Sequence, residues 1–126
     1  YGPTFVSEIA NESWEEIKDP SIFPSNNTRT WRDLIMNKSP HCMPIWKKSI
    51  HDRFGYFDAS YEPAADSDMW IRAVKGGATI KMVRDVVGIY YQNPSGRSTN
   101  PETLKKMLDE VHGMRKKHCP EYTVIS

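Results

Sequence analysis

The chain has 126 residues, of which 38% are hydrophobic and 26% are charged, a composition typical of one folded domain or of part of one. Its formal net charge of +1 gives no electrostatic reason to expect binding to nucleic acid or to an anionic membrane. No apolar run approaches the roughly 20 residues of a membrane-spanning helix, and we expect no export signal at the start. Two cysteines, Cys42 and Cys119, are too few for a disulfide framework, which favours a cytoplasmic protein.

Residues 1–41 predict loops and short helices. The first 27 residues contain one short helical piece after Ser13, where early acidic residues suit the positive end of a helix. A better helix is predicted over 28–38, because apolar residues recur there at i, i+3 and i+4. These apolar residues are Trp31, Leu34 and Ile35. Pro40 ends this helix, since proline cannot continue it.

Residues 42–98 alternate predicted strands and helices. Strands are predicted at 42–49, 78–83 and 86–92. Pro44 restricts the first strand to a sheet edge or to a strand start. Helices alternating with strands imply an α/β fold, here with a small mixed sheet of about three strands flanked by helices.

Three more helices are predicted after residue 48. They cover 49–55, about 66–75, and most of the C-terminal segment 99–126. The first two end in glycine, which readily adopts the left-handed conformation found at helix ends. The last has Asn100 as its cap and Pro101 in its first position, and Cys119-Pro120 stops it. Its predicted buried face consists of Leu104, Met107, Leu108, Val111 and Met114.

The triplet Asp66-Ser67-Asp68, at the start of the helix over 66–75, is a candidate functional site with three interpretations. Asp66 could cap the helix by accepting free backbone N–H groups. The triplet could hold Mg²⁺ or Mn²⁺, which prefer oxygen ligands, although "YEPAA" before it is not the buried apolar strand that usually precedes such sites. Asp66 could also act as a general base for an attacking hydroxyl group. Residues two apart on a helix face different ways, so Asp66 and Asp68 should have separate roles.

Three stretches of the sequence together resemble a known family. The stretch "DSDMWIR", followed by "KGG", is similar to an acidic helix. The stretch "MPIWKKSIHDRFGYFD" is similar to a strand, a helical turn and a Gly-x-Phe-Asp segment, and "GIYYQNPSGRS" to a strand and a closing loop. Their order and spacing over residues 42–98 resemble the family-two inverting glycosyltransferases, which use nucleotide sugars and have the GT-A fold.

The resemblance implies a role for each matching residue. Asp66 matches the catalytic base, which deprotonates the acceptor hydroxyl as it attacks the anomeric carbon opposite the departing nucleotide. Asp68 matches an acid that binds the acceptor or orients the helix. Trp70 and Arg72 match supporting positions, although a core aromatic residue and a surface ion pair would explain them at least as well. Trp46 could stack on the acceptor sugar, but a tryptophan in a strand is more often part of the core.

The sequence departs from the family pattern at two places. Ala65 stands where the family often has glutamate, which leaves a single acid for the role of base. Asn93 stands where the closing loop often has histidine, and Arg97 in the same loop is a candidate contact for the donor diphosphate. None of these residues is assigned as a metal ligand. There is no Gln-x-x-Arg-Trp segment of processive synthases, so a non-processive, hexosyltransferase-like enzyme is expected.

The resemblance also implies that half of the catalytic domain is absent. Nothing before residue 42 resembles the nucleotide-binding unit or its Asp-x-Asp motif. We therefore expect residues 1–126 to form a single unit, a partial GT-A (Rossmann-like) domain without its N-terminal half and inactive alone. The full-length enzyme is expected to hold Mg²⁺ or Mn²⁺, mainly through the absent half. Expected partners are a nucleotide-sugar donor, a carbohydrate or lipid-linked acceptor, and a second copy of the chain.

Three competing interpretations come from the residues alone. The pairs His41-Cys42 and His118-Cys119 could bind zinc, although zinc sites usually space their ligands by two to four residues. A non-catalytic module could bind a sugar or a protein through its Trp and Tyr side chains. A Cys–His nucleophile is conceivable, but no motif around either cysteine supports it.

Overall fold

The computed structural model describes residues 1–36, 40, 43–96 and 100–123. Over these residues, two strands come first, three helices follow, and a third strand precedes the last helix. The predicted small mixed α/β architecture is confirmed at this level. No helix in the described part of the chain combines the length and the apolar character needed to cross a membrane.

The three strands form one open, mixed sheet. They are β1 (Thr4–Ser7), β2 (Ile22–Phe23) and β3 (Gly88–Tyr91), in the spatial order β2-β1-β3. Strand β1 lies antiparallel to β2 and parallel to β3, so that Phe5 is opposite both Ile22 and Ile89. Among the described residues the outer strands pair only with β1, which leaves each with an unpaired edge.

Only one of the three predicted strands is confirmed: β3 lies within 86–92. The strand predicted at 42–49 is wrong, because residues 43–47 are irregular, Pro44 has no N–H to donate and Ser49 starts a helix. The strand predicted at 78–83 is also wrong, since that segment meets the start of the chain through isolated bonds such as Val83 N–H to the Tyr1 carbonyl at 2.8 Å. Strands β1 and β2 lie where loop was predicted.

The four helices lie where the sequence predicts them. They are α1 (Trp31–Ile35), α2 (Ser49–Phe54), α3 (Ala65–Lys75) and α4 (Pro101–His118). Helix α1 starts later than predicted because Thr30 and Asp33 form a capping box, in which each side chain accepts the other residue's N–H at 3.2 and 3.0 Å. The predicted piece after Ser13 forms only turns.

The predicted helix ends are confirmed by the backbone geometry. Gly55 follows α2 with φ +79°, and Gly77 follows α3 with φ +107°, conformations that favour glycine. The Asn100 side chain accepts the Glu102 N–H at 3.0 Å, and Pro101 occupies the first position of α4. These local signals fix where α2 and α3 end and where α4 begins.

Helix α3 is the centre of the hydrophobic core. The core consists of Leu34, Ile35, Ala64, Met69, Trp70, Ile71, Ala73, Met114 and Cys119. Of the predicted buried face of α4, only Met114 is fully buried, whereas Leu108 is 42% exposed. The C-terminal half of α4 therefore supplies its contact with the core, and its N-terminal half is largely solvated.

Candidate functional site at the start of α3

Asp66 lies in the first turn of α3 and its side chain is exposed. Its Oδ1 accepts the N–H of Ser67 at 2.7 Å, and its Oδ2 has no hydrogen-bond partner among the described residues. The N-cap position belongs to Ala64, whose side chain makes no capping bond, so the interpretation of Asp66 as the N-cap is wrong. The carboxylate is therefore open to solvent at the positive end of the helix.

Helical spacing places Asp66 on the face of α3 that carries Trp70. Residues four apart share a face, and their Cα atoms are about 6 Å apart along the axis. Trp70 also lines a cleft of about 110 Å³, together with Ala73 and Val74 from the next turn. Asp66 itself does not line this cleft. It stands one turn beyond it, and helix side chains lean toward the N-terminus, which directs the Trp70 indole toward the level of Asp66.

Asp68 is on the opposite face and is fully buried. Its Oδ2 accepts from Arg72 Nε at 2.9 Å, and its Oδ1 accepts from His118 Nε2 at 2.6 Å. An ionised carboxylate only accepts, so the His118 nitrogen carries the proton. Both carboxylate oxygens of Asp68 are hydrogen-bonded inside the protein, so neither can contact an acceptor substrate. Of the two roles that the resemblance implies, binding the acceptor or orienting the helix, Asp68 can therefore fill only the second.

Arg72 joins α3 to the turn after α2. In addition to its bond with Asp68, its Nη1 donates to the Phe54 carbonyl at 2.5 Å and its Nη2 to the Tyr56 carbonyl at 2.7 Å. The guanidinium group thus holds the backbone on both sides of Gly55. Arg72 thus has a structural role, because it fixes the segment that follows α2 relative to α3.

Glu110 in α4 supports the start of α3, a role that its sequence context did not predict. Its Oε1 accepts the backbone N–H groups of Glu62 at 2.7 Å and of Ala64 at 3.0 Å, directly before the helix. The partners are 46 and 48 residues away along the chain, so no local motif could have revealed the contact. Glu110 therefore satisfies two backbone N–H groups immediately before the first turn of α3 and ties this segment to α4.

Removing the Glu110 carboxylate should loosen the start of α3. We expect Glu110→Ala to lower the free energy of unfolding by about 1–3 kcal/mol, because two backbone donors lose their acceptor. Glu110→Gln keeps a side-chain oxygen in the same place and is expected to retain most of the stability. Urea unfolding and amide hydrogen exchange at Glu62 and Ala64 would measure both effects, and equal stability of the two variants would contradict this role.

Aromatic side chains gather beside the Asp66 face of α3. The Trp46 ring centroid lies 4.9 Å from that of Trp70, and Phe57 lies 6.0 Å from Trp70, both edge to face. Trp46 and Phe57 are each 40% exposed. Trp46 is therefore neither a strand residue nor buried in the core, and it forms a surface cluster on the buried Trp70.

Asp58, in the Gly-x-Phe-Asp segment, stabilises the loop between α2 and α3. Its Oδ1 accepts from the Ser60 hydroxyl at 2.6 Å and from the Ser60 N–H at 2.9 Å. These two hydrogen bonds, the hydroxyl first, lower the pKa of the Asp58 carboxyl group. Asp58 therefore serves as the anchor of a local turn, which keeps the loop after Phe57 in place.

The closing loop is described only in part. Asn93 is exposed, and its side-chain oxygen accepts the Ser95 N–H at 2.9 Å in a local turn. Arg97 lies outside the described residues.

The zinc interpretation concerns His41, Cys42, His118 and Cys119, of which the first two lie outside the described residues. His118 is bonded to Asp68 and Cys119 is buried. The described residues contain no group of three His, Cys, Asp or Glu side chains that could hold a metal ion.

Compared with protein-family models, curated proteins and solved structures, the chain matches none. The geometry of the site itself must therefore carry any functional interpretation.

Proposed function

We propose that this chain is the acceptor-side part of a family-two inverting glycosyltransferase of the GT-A fold, with Asp66 as its general base. The observation that carries the proposal is the state of the two acids in the triplet. Both oxygens of Asp68 accept hydrogen bonds inside the protein. Asp66 instead keeps one oxygen that has no hydrogen-bond partner among the described residues and is open to solvent, on the helix face that carries Trp70. This division is what a base and its supporting residue require.

In the proposed reaction, Asp66 accepts the proton of an acceptor hydroxyl group. The hydroxyl oxygen forms a bond to the anomeric carbon of the donor sugar while the bond from that carbon to the nucleotide diphosphate breaks. The electron pair leaves with the diphosphate, and attack from the opposite side inverts the anomeric centre. Transfer is single rather than processive, and the acceptor is a carbohydrate or a lipid-linked sugar.

The supporting residues act by holding Asp66 in place. Asp68 is bonded to Arg72 in its own helix and to His118 in α4, so the first turn of α3 is fixed from the side opposite the reacting hydroxyl. Such positioning matters because small displacements of a base slow proton transfer strongly. Asn93 and Arg97 are assigned to the closing loop on the donor side.

Donor binding belongs to a separate nucleotide-binding half in this proposal. The Mg²⁺ or Mn²⁺ ion of this proposal would be held mainly by that half, where it would neutralise the diphosphate. The 126 residues alone are expected to show no transfer. The proposed setting is the cytoplasm, where nucleotide sugars are available as donors.

The test is Asp66→Asn in the full-length natural polypeptide that contains these residues. With a panel of nucleotide sugars and acceptors, we expect the variant to lose transfer by about 10²–10⁴-fold in kcat, the usual contribution of a general base. Asp52→Asn is the matched control, since Asp52 is an exposed acid in the first turn of α2. Transfer by Asp66→Asn at the rate of the control would eliminate the proposal.

A second candidate is a non-catalytic sugar-binding or protein-interaction module. The exposed aromatic cluster favours it, because Trp46 and Phe57 present apolar surface to solvent and could bind a ligand without any contribution from Asp66. In that case ligand binding would survive Asp66→Asn unchanged, and no transfer would be found with the full-length polypeptide.

A further inference from the structure

Three exposed aromatic side chains form a continuous surface beside α3, which we call the aromatic platform. It consists of Trp46 and Phe57, each 40% exposed, and Tyr56, which is 66% exposed. Ring contacts through His51 and Trp70 connect its members. Large aromatic residues are seldom exposed together, so the platform marks a candidate binding surface.

The polar edge of Trp46 is already engaged within the platform. An indole N–H only donates, so the Trp46 Nε1 bond to His51 Nε2 at 3.0 Å makes that nitrogen an acceptor. The proton of a neutral His51 must then sit on Nδ1, which donates to the Gly55 carbonyl at 3.0 Å. The indole surface that remains exposed is therefore carbon, which offers a ligand an apolar surface.

Ring stacking and backbone hydrogen bonds hold the Tyr56 part of the platform in place. The Tyr56 ring stacks on His51 at 4.6 Å with an interplanar angle of 1°. The positive φ of Gly55 turns the chain so that Tyr56 folds back over α2, and Arg72 bonds the carbonyls of Phe54 and Tyr56 on either side. A surface ordered in advance loses little entropy when a ligand binds.

We propose that the aromatic platform binds a pyranose ring of the acceptor, with the C–H face of the sugar on Trp46 and its rim against Tyr56 and Phe57. The inference rests on the proposed function, because it places the sugar beside the helix face from which Asp66 projects. A pyranose needs an apolar surface for its C–H face and a few polar groups for its hydroxyls. The platform supplies the apolar surface, and the exposed Asp66 carboxylate can accept a hydrogen bond from a sugar hydroxyl.

In this arrangement His51 is a positioning residue for Trp46. It makes no contact with the sugar itself and acts by fixing the indole. His51→Phe would keep a ring stacked on Tyr56 but could not accept the Trp46 N–H. His51→Gln could still accept that N–H through its side-chain oxygen, which gives a conservative variant for rescue.

The test is a titration of the ¹⁵N-labelled chain with glucose, galactose and mannose in the form of methyl glycosides and tetrasaccharides. We expect the indole N–H signal of Trp46, assigned with Trp46→Phe, to move on titration. Tyr56→Ala and Phe57→Ala should each weaken binding by roughly tenfold, the scale of one aromatic contact. Trp14→Ala is the control, because Trp14 is 51% exposed and packs on Phe5, away from the platform.

His51 adds a spectroscopic criterion. His51→Phe should shift the Trp46 indole signal before any sugar is added and should weaken binding, whereas His51→Gln should restore part of both. A Trp46 signal that does not respond to any probe up to its solubility limit would overturn the proposal. So would Tyr56→Ala and Phe57→Ala variants that bind as tightly as the Trp14→Ala control.

The same variants separate this inference from the proposed function. If sugar binds at the platform but transfer by the full-length polypeptide does not depend on Asp66, the platform proposal stands and the assignment of Asp66 as general base is wrong. If Asp66→Asn abolishes transfer but Tyr56→Ala and Phe57→Ala leave the KM for the acceptor unchanged, the assignment of Asp66 as general base stands and the platform proposal is wrong.

Discussion

Asp68→Ala is expected to lower the free energy of unfolding by about 3–5 kcal/mol, the usual cost of removing one member of a buried ion pair. The carboxylate is fully buried between Arg72 and His118, whose side chains are only 27% and 11% exposed. Without it, the guanidinium group and the imidazole N–H lose an acceptor that water cannot easily replace. Urea unfolding followed by circular dichroism would measure the loss.

Asp66→Ala is the matched control for this experiment, since it removes the same functional group two residues earlier. Its side chain is exposed and its one hydrogen bond is to the next residue, so we expect a change of at most about 1 kcal/mol from the lost interaction with the helix dipole. Equal destabilisation by the two substitutions would show that Asp68 does not have the structural role assigned to it.

Trp70→Ala is expected to cost about 3–5 kcal/mol of unfolding free energy, as other large-to-small changes in protein cores do. Trp70 is 8% exposed, belongs to the core and supports Trp46 and Phe57 from below. Its removal should therefore also disturb the aromatic platform. We expect the Trp46 indole signal to broaden or shift in conditions where the variant is still folded.

Trp14→Ala serves as the control for this second substitution. Trp14 is half exposed and makes one edge-to-face contact with Phe5 at 5.4 Å, so its loss should cost about 1 kcal/mol. It should leave the Trp46 signal in place. If Trp70→Ala were no more destabilising than Trp14→Ala, the assignment of Trp70 to the core would be wrong.

Helices were predictable because their signals are local. The end of α3 follows from two glycines directly after Lys75, and α4 begins at the Asn100 cap and Pro101. The same 3.6-residue period separated Asp66 from Asp68, and the structure places one in solvent and the other in the interior. Nothing beyond the neighbouring turn of helix was needed for these inferences.

Strands and tertiary contacts were not predictable in the same way, because their partners are distant in sequence. Thr4 pairs with Gly88, and a four-residue strand directly after Gly2-Pro3 has little local pattern of its own. Asp68 meets His118, and Glu110 meets Ala64, across 50 and 46 residues. Such pairs depend on how α3 and α4 pack, which no short segment specifies.

The two halves of α4 differ in their contacts with the rest of the protein. Glu110 and His118 both bond to α3 or to the loop before it, whereas the Lys105–Asp109 pair is a solvated surface contact with side chains 85% and 65% exposed. The first two turns should accordingly tolerate dyes, tags or altered charge, while the last two should accept few changes. A fluorophore on the solvated side of these first two turns should therefore leave the stability of the fold unchanged.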